Sequence, residues 1–186
     1  MNKLVFYIYK ILSKFLGNGI IVQYYRKVGM TIGEDTHIFS RLISSEPFLI
    51  SIGKNVTIST GVSLLTHDAS VGAIVGRNVY SDIVGPITIG NNCFIGANSI
   101  ILPGVRIPDN SIVAAGSVVT KTVVNDLNDN TIQNEGIIIG GNPAVYICRT
   151  NDFLRKREKN FLKLHGLSLD KRKKYIMNNK DKWVKK

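Results

Sequence analysis

Aliphatic side chains recur at every sixth residue through the middle of this 186-residue chain. The repeat runs without a slip from residue 89 to residue 119, and a small or β-branched side chain follows each aliphatic position four residues later. A period of six matches neither the 3.6-residue period of a helix nor the two-residue alternation of a strand, and a fixed longer period is typical of a solenoid. The aliphatic positions are Ile89, Ile95, Ile101, Ile107, Val113 and Val119.

Each six-residue unit predicts a short strand followed by a tight turn, and three units complete a triangular coil of about 18 residues. This geometry predicts that Ile95 stacks against Val113 and Ile101 against Val119, with successive coils about 4.8 Å apart. The aliphatic side chains would fill the interior, and the backbone of each coil would pair with the coils above and below. The pattern therefore predicts a mainly β solenoid.

The six-residue register extends upstream of residue 89, although less regularly. Ile32 and Ile38 begin an imperfect first coil, which is followed by the irregular residues 44–48. The register then resumes at Ile52, Ile58 and Leu64.

Residues 68–86 interrupt the repeat, because they show no six-residue pattern and contain three glycines. Solenoids accommodate insertions as loops at a corner, often on the functional face. The interruption begins directly after His67, and the solenoid restarts at Ile87 or Ile89. We therefore expect His67 at the base of an inserted loop.

The two ends of the chain differ from the solenoid, and we predict three segments: residues 1–28, 29–150 and 151–186. In the first, an amphipathic helix places Leu4, Ile8, Ile11 and Phe15 on one face. That helix has two interpretations, a cap on the open end of the solenoid or a helix resting on a membrane surface. Residues 122–136 predict a polar loop, and residues 152–186 a basic helical tail broken at a glycine.

Nearly all of the net charge of +11 lies in the tail. Residues 1–154 carry 11 basic and 10 acidic side chains, whereas residues 155–186 carry 13 basic and 3 acidic ones. The tail is either a solvated basic end or a peripheral contact with anionic lipid at the inner membrane face. Only Tyr175 and Trp183 are interleaved with its later charges, so no nucleic-acid partner is predicted.

The cysteines and the first apolar segment bear on the compartment. Cys93 and Cys148 do not form a disulfide framework, and free thiols are typical of a reducing cytoplasm. The N-terminal apolar segment is short and broken by lysines, and no signal cleavage pattern follows it. We therefore predict a cytoplasmic protein, with peripheral membrane contact left open.

The chain has three histidines, and one of them is a candidate catalytic base. The spacing of His37, His67 and His165 does not predict a metal site. A neutral imidazole at His67 could accept a proton at neutral pH, and Asp68 could fix its tautomer. Neighbouring side chains on a strand point to opposite faces, which argues against that carboxylate. The alternative is that His67 is simply a polar corner residue.

Several motifs resemble those of the hexapeptide-repeat acyltransferases, which fold as left-handed parallel β-helices. These are I-T-I-G-N-N-x-F-I-G-A, P-G-V, A-A-G-S-V-V-T-K and G-G-N-P-A, and the likeness covers about residues 32–147. It is greatest to galactoside and maltose, xenobiotic, and capsule or O-antigen O-acetyltransferases. The resemblance implies a homotrimer that binds acetyl-CoA between adjacent subunits, with His67 as the base for direct transfer to an acceptor hydroxyl.

The resemblance also assigns the donor-binding positions. Ala97 and Ala115 would line the pantetheine arm, and Thr120 with Lys121 would lie near the adenosine and phosphates. Asn142 and Pro143, from the G-G-N-P-A motif, would complete this surface.

The chain departs from the family pattern in three places. Phe94 stands where a tryptophan is common, and residues 122–136 replace a shorter connection. Val145 replaces an arginine that would meet a cofactor phosphate, for which Arg149 is a candidate substitute.

A neutral cleft beneath a loop suits a sugar hydroxyl, so the first hypothesis is O-acetylation of a saccharide such as a polysaccharide, capsule or O-antigen precursor. The large helical domain and the D-H-A-T segment of serine acetyltransferases are missing, and there is no room for the nucleotide-binding domain of sugar-nucleotide N-acetyltransferases. The alternatives are a streptogramin-type antibiotic acetyltransferase and a non-catalytic solenoid scaffold.

Overall fold

The computed structural model describes residues 3–42, 44–76, 82–123 and 135–184. The chain forms two compact units, Met1–Thr150 and Asn151–Lys186. The first unit is mainly β, and the second contains helices α4 (Thr150–Arg157) and α5 (Leu169–Asn178), of which α4 begins at the boundary. None of the described helices is both long enough and apolar enough to cross a membrane.

Short strands in the first unit form three parallel sheets, with β15 added in antiparallel fashion to the third. Their orders are β1-β3-β8-β11, β5-β10-β13 and β2-β4-β9-β12-β14-β15. The strands are β1 (Thr31–Ile32), β2 (His37–Ile38), β3 (Ile50–Ile52), β4 (Thr57–Ile58), β5 (Ser63–Leu64), β6 (His67–Asp68), β7 (Ile83–Val84), β8 (Ile87–Ile89), β9 (Phe94–Ile95), β10 (Ile100–Ile101), β11 (Arg106–Ile107), β12 (Ile112–Val113), β13 (Val118–Val119), β14 (Ile137–Gly141) and β15 (Ala144–Arg149).

The strand register follows the sequence period. Ile95 pairs with Val113 and Ile101 with Val119, as the 18-residue coil predicts. Across the inserted loop Ile52 pairs with Ile89, so the register resumes in phase after the interruption. Three strands per coil and parallel pairing between coils are consistent with a β-helix.

Both six-residue series point into the core. The aliphatic positions from Ile89 to Val119 are buried, and so are the small residues that follow them. The small serines accept and donate hydrogen bonds at the turns: Ser99 Oγ and Ser117 Oγ both donate to Ala114 O. Buried hydroxyls are thereby satisfied without larger side chains that the narrow interior would not hold.

Asparagines at the turns form a ladder along one corner of the coils. Asn55, Asn92 and Asn110 each have a φ between 54° and 57°, a left-handed conformation that Asn tolerates better than most residues. The Asn55 amide donates to Asn92 Oδ1, and the Asn92 amide donates to Asn110 Oδ1, each over 3.0 Å. Identical turns therefore stack in register from coil to coil.

Two helices, α1 (Lys3–Leu16) and α2 (Gly19–Lys27), close the start of the solenoid. The buried Tyr25 donates its hydroxyl proton to Ser40 O and accepts the Leu42 N–H, while the Asn18 amide bonds both Ile38 N and Ile38 O. These bonds occupy backbone groups of the first coil that would otherwise be an open edge. The capping interpretation therefore applies to α2 and its flanking Asn18.

Helix α1 packs on α2 through a face that the sequence pattern did not single out. Phe6 is buried against Tyr24 and Tyr25, whereas Leu4, Ile8 and Ile11 are exposed. The apolar stripe predicted for this helix therefore does not face the solenoid. The side chain of Phe15, the fourth member of that stripe, lies outside the described residues.

The inserted loop begins and ends as a small antiparallel pair of strands. In it β6 pairs with β7, so that His67 lies opposite Val84 and Asp68 opposite Ile83, and helix α3 (Ser70–Val75) follows β6. The antiparallel pair begins at His67, the residue after which the sequence predicts the interruption. The predicted loop at residues 122–136 falls mostly outside the described residues.

Candidate active site

His67 stands at the base of the inserted loop, where β6 leaves the solenoid. Its Nδ1 lies 3.0 Å from Glu46 Oε2, and its side chain is 35% exposed. An imidazole that donates Nδ1–H to a carboxylate keeps Nε2 unprotonated and able to accept a proton. The contact therefore favours the tautomer that a general base requires.

A closed ring of hydrogen bonds holds Glu46 in place. The Glu46 N–H donates to Ser44 Oγ, Ser44 Oγ lies 2.7 Å from Thr66 Oγ1, and the Thr66 hydroxyl donates to Glu46 Oε2 over 2.7 Å. Thr66 is almost completely buried, so its hydroxyl is fixed by its surroundings. The carboxylate thus reaches His67 from a defined direction.

The same ring keeps Glu46 ionised. The hydrogen bond from Thr66 is the largest cause that lowers the pKa of Glu46 below its usual value of 4.5, and His67 adds to it. A carboxylate that accepts hydrogen bonds is stabilised in its charged form. Glu46 can therefore accept the Nδ1–H of His67 throughout the neutral pH range.

Sequence reasoning missed Glu46, which lies 21 residues before His67 in the irregular stretch 44–48. One signal could have found it. The two interruptions of the register, at residues 44–48 and 68–86, both connect the end of one coil to the first sheet of the next. They therefore lie at the same corner in successive coils, where a side chain from each can meet.

Asp68, the predicted orienting residue, is directed elsewhere. Its Oδ1 accepts the Ser70 N–H over 2.8 Å, and this bond is the largest cause that lowers the pKa of Asp68. The side chain is exposed at the start of α3. The structure thus gives Asp68 a turn-forming role and puts Glu46 against His67.

A cleft of about 330 Å³ opens beside His67. Its other lining residues are Arg41, Ser44, Ser45, Ser63, Leu65 and Thr66. The Arg41 guanidinium lies 5.7 Å from the Phe6 ring centre and 6.0 Å from that of Tyr7. Its Nε is buried and has no hydrogen-bond partner in the part of the chain that the structure describes. The cleft therefore combines hydroxyl groups with one cation.

The predicted pantetheine positions lie on neighbouring coils. The Gly116 N–H donates to Ala97 O over 2.8 Å, which stacks the Ala97 turn on the turn of Ala115. Ala115, Thr120 and Lys121 are exposed and Ala97 is half-buried. Ala97 and Ala115 follow strands β9 and β12 of one sheet, whereas Thr120 and Lys121 follow β13 of another, so the two pairs lie at different corners of the coil. Contact of these residues with a donor stays a prediction.

Asn142 and Pro143 lie at the exposed turn of the β14–β15 hairpin and are joined by a cis peptide bond. Arg149 lies at the other end of that hairpin, opposite Ile137, and its Nη1 is 2.7 Å from Glu135 Oε2. Four residues of strand separate the two ends by about 14 Å. Arg149 is therefore not adjacent to the Asn142–Pro143 turn, and its role toward a phosphate stays a prediction.

The surroundings of the metal-ligating residue types and of Cys93 bear on metal binding and on thiol chemistry. Within the described ranges, no group of three or more His, Cys, Asp or Glu side chains is arranged to hold a metal ion. Cys93 is buried in the solenoid interior, where its Sγ lies 3.0 Å from Pro108 O, and burial raises the pKa of its thiol to about 11. A thiol in this position is a poor nucleophile.

Comparison with known proteins identifies relatives of this chain. A family model described as the hexapeptide repeat of succinyl-transferase matches residues 86–121. Protein CapG of Staphylococcus aureus is 40% identical over 172 residues, which cover 91% of this chain and 94% of CapG. The galactoside O-acetyltransferase of Escherichia coli K12 is 36% identical over 65% of this chain and 54% of its own length. A hexapeptide-repeat acetyltransferase of Vibrio cholerae, solved in complex with acetyl coenzyme A, is 29% identical with a TM-score of 0.55, over 66% of this chain and 61% of that chain.

These similarities, of which the CapG match spans almost the full length of both chains, show that the chain belongs to the hexapeptide-repeat acyltransferase family. It is an acetyltransferase, and acetyl-CoA is its acyl donor. The family that the sequence motifs predicted is therefore confirmed.

Proposed function

We propose that this enzyme is an O-acetyltransferase that acts on a saccharide hydroxyl, with His67 as the general base. The observation that carries this proposal is the 3.0 Å contact between His67 Nδ1 and Glu46 Oε2 at the mouth of a hydroxyl-lined cleft. It supports a base because the tautomer is fixed by an ionised carboxylate. The name of the galactoside O-acetyltransferase relative supports a sugar as the acceptor.

The proposed reaction is direct transfer without a covalent enzyme intermediate. His67 Nε2 accepts the proton of the acceptor hydroxyl while the hydroxyl oxygen bonds to the carbonyl carbon of the acetyl thioester. The carbon–sulfur bond then breaks, and the imidazolium returns its proton to the departing sulfur of coenzyme A. Glu46 stabilises the imidazolium between the two steps, and base catalysis of this kind contributes about 10²–10⁴-fold to the rate.

We further propose a left-handed β-helix and a homotrimer with active sites between subunits, as the sequence resemblance implies. The exposed Ala115, Thr120 and Lys121 and the half-buried Ala97 support a surface at which a neighbouring subunit would cover the donor. Cross-linking and analytical ultracentrifugation of the full chain test the trimer. The cytoplasmic location is also part of this proposal, and it is supported by the free thiols Cys93 and Cys148.

A streptogramin-type antibiotic acetyltransferase is the alternative acceptor class, and it would use the same His67 chemistry on a larger apolar acceptor. The non-catalytic scaffold, which the sequence had left open, does not agree with the acetyltransferase family to which the chain belongs.

The deciding experiment measures acetyl-CoA turnover by thiol release against a panel of sugars and streptogramins, for the wild type and His67→Ala. Sugar-dependent release that falls by at least about a hundredfold in the variant is the expected result. Unchanged release in His67→Ala would show that this imidazole is not the base. Release only with streptogramins would favour the antibiotic enzyme, and no release with any member of the panel would contradict both acceptor classes.

A further inference from the structure

Helix α1 exposes a broad apolar face to solvent. Its exposed fractions are 69% for Leu4, 37% for Val5, 49% for Tyr7, 47% for Ile8, 58% for Ile11 and 39% for Leu12. At 100° per residue these positions span about 160° of the helix circumference. The face is continuous, so it differs from the scattered exposed apolar residues that are normal on soluble proteins.

The opposite face of α1 is already engaged. Phe6 is 3% exposed and its ring centre lies 5.8 Å from that of Tyr24, and the Tyr9 ring is tilted against Tyr24 with the ring centres 5.1 Å apart. Lys27 Nζ also donates to the Tyr9 hydroxyl over 3.3 Å. Helix α1 is therefore held on α2 through these aromatic residues, and its apolar stripe faces solvent.

The charge around this face indicates the kind of partner. Residues 1–33 contain five basic side chains and not one Asp or Glu, since the first acidic residue is Glu34. Lys10 is exposed on α1 itself, and Lys27 of α2 contacts α1 at the Tyr9 hydroxyl, whereas Arg26 bonds the carbonyl oxygens of Ile32 and Gly33. A second copy that docked through the same face would bring like charges together, whereas anionic headgroups would complement them.

We propose that the exposed face of α1 binds the surface of an anionic lipid bilayer. The 14-residue helix is about 21 Å long and would lie in the plane of the interface. Leu4, Ile8 and Ile11 would enter the boundary between headgroups and acyl chains, and the flanking lysines would contact phosphate groups. The sequence pattern left membrane contact open both for this helix and for the basic tail, and the exposed apolar face is the observation that favours the helix.

Co-sedimentation of the full chain with vesicles tests the proposal. The wild type is expected to bind vesicles of phosphatidylcholine with phosphatidylglycerol, to bind pure phosphatidylcholine less well, and to be released partly by salt. Ile8→Asp/Ile11→Asp should lower the partition coefficient at least about tenfold, because two charges would have to enter the apolar boundary. Ile8→Leu/Ile11→Leu should bind like the wild type.

A matched pair in the tail is the control. Leu169 and Met177 are exposed on α5, and Leu169→Asp/Met177→Asp adds the same charge to the second unit. That variant should retain vesicle binding, and both Asp pairs should keep wild-type far-UV circular dichroism and turnover of a soluble acceptor.

The proposal is overturned if the wild type does not bind the anionic vesicles, or if the tail pair abolishes binding and the α1 pair does not. A change of oligomeric state in Ile8→Asp/Ile11→Asp with vesicle binding intact would instead identify the face as a contact between copies.

Discussion

Glu46 Oε2 lies 3.0 Å from His67 Nδ1, so a carboxylate at the end of one coil meets the imidazole at the end of the next. The two residues are 21 positions apart in the chain, and the β-strands between them bring their corners together. The buried Thr66 hydroxyl, which donates to the same carboxylate oxygen, fixes the contact. This pair gives the site an oriented imidazole without help from Asp68.

Replacement of Glu46 by Gln should lower kcat by about a hundredfold and leave the KM for acetyl-CoA unchanged, because the imidazole loses its anionic partner. Thiol-release kinetics at a fixed neutral pH measure both parameters.

Asp68→Asn is the matched control, because it removes a neighbouring carboxylate that bonds Ser70 instead of His67. It should keep the kcat of the wild type. If Asp68→Asn lowers kcat as much as Glu46→Gln does, Glu46 is not the specific residue that orients His67.

Ala115→Leu should raise the KM for acetyl-CoA at least about tenfold, since overfilling a close contact costs roughly 1–3 kcal/mol. The residue is exposed, so thermal stability should not change. Ala115→Ser is the size-matched comparison and should bind the donor normally. If Ala115→Leu leaves the KM for acetyl-CoA unchanged, the donor does not bind along the stacked turns of Ala97 and Ala115.

Gly96→Ala should destabilise the solenoid by at least about 2 kcal/mol through overpacking. A Cβ at this position would run into the backbone of Ala114 and Ala115 in the next coil. Gly72 has open space around it in α3, and Gly72→Ala should be neutral or stabilise by up to about 1 kcal/mol because alanine favours a helix. Thermal unfolding of both variants measures the difference, and equal melting temperatures would contradict the close stacking of these turns.

Alkaline pH should destabilise the protein through Cys93. Burial raises the pKa of this thiol from 9.0 to about 11. Below pH 9 both the folded and the unfolded chain keep the proton, and between pH 9 and 11 only the unfolded chain releases it. The free energy of unfolding should therefore fall across this window, by at most about 3 kcal/mol.

Cys93→Ser should remove this part of the pH dependence and retain activity. Serines fill the equivalent buried positions at 99, 111 and 117, so the replacement suits the site. Denaturant unfolding at pH 8 and pH 10.5 compares the two proteins. A large loss of activity in Cys93→Ser would contradict direct transfer, because it would indicate a catalytic thiol.

Arg41 predicts a preference for acidic saccharides. Its guanidinium lines the cleft beside His67 and stacks on Phe6, and its buried Nε has no partner among the residues described. Arg41→Gln should raise the KM for a uronate or phosphorylated sugar about tenfold, as expected for the loss of a charged hydrogen bond. The KM for the matching neutral sugar should change little. A similar rise for both sugars would assign Arg41 a structural role only.

The sequence by itself determined the coil, its register and the position of the loop. A period of six with an aliphatic residue in each unit predicts a coil in which Ile95 packs against Val113 and Ile101 against Val119, because that stacking buries all of these side chains. The family motifs and the break in the repeat after His67 are likewise local patterns of the amino-acid sequence.

Only the tertiary structure decided which side chains meet across coils and which helix face is buried. Glu46 occupies an irregular stretch with no period, so its approach to His67 depends on how two corners stack. Helix α1 carries apolar residues around most of its circumference, and the aromatic residues of α2 select Phe6 over the Leu4–Ile8–Ile11 stripe. Periodicity records which positions alternate between environments, whereas contacts between distant irregular segments depend on packing that no local pattern encodes.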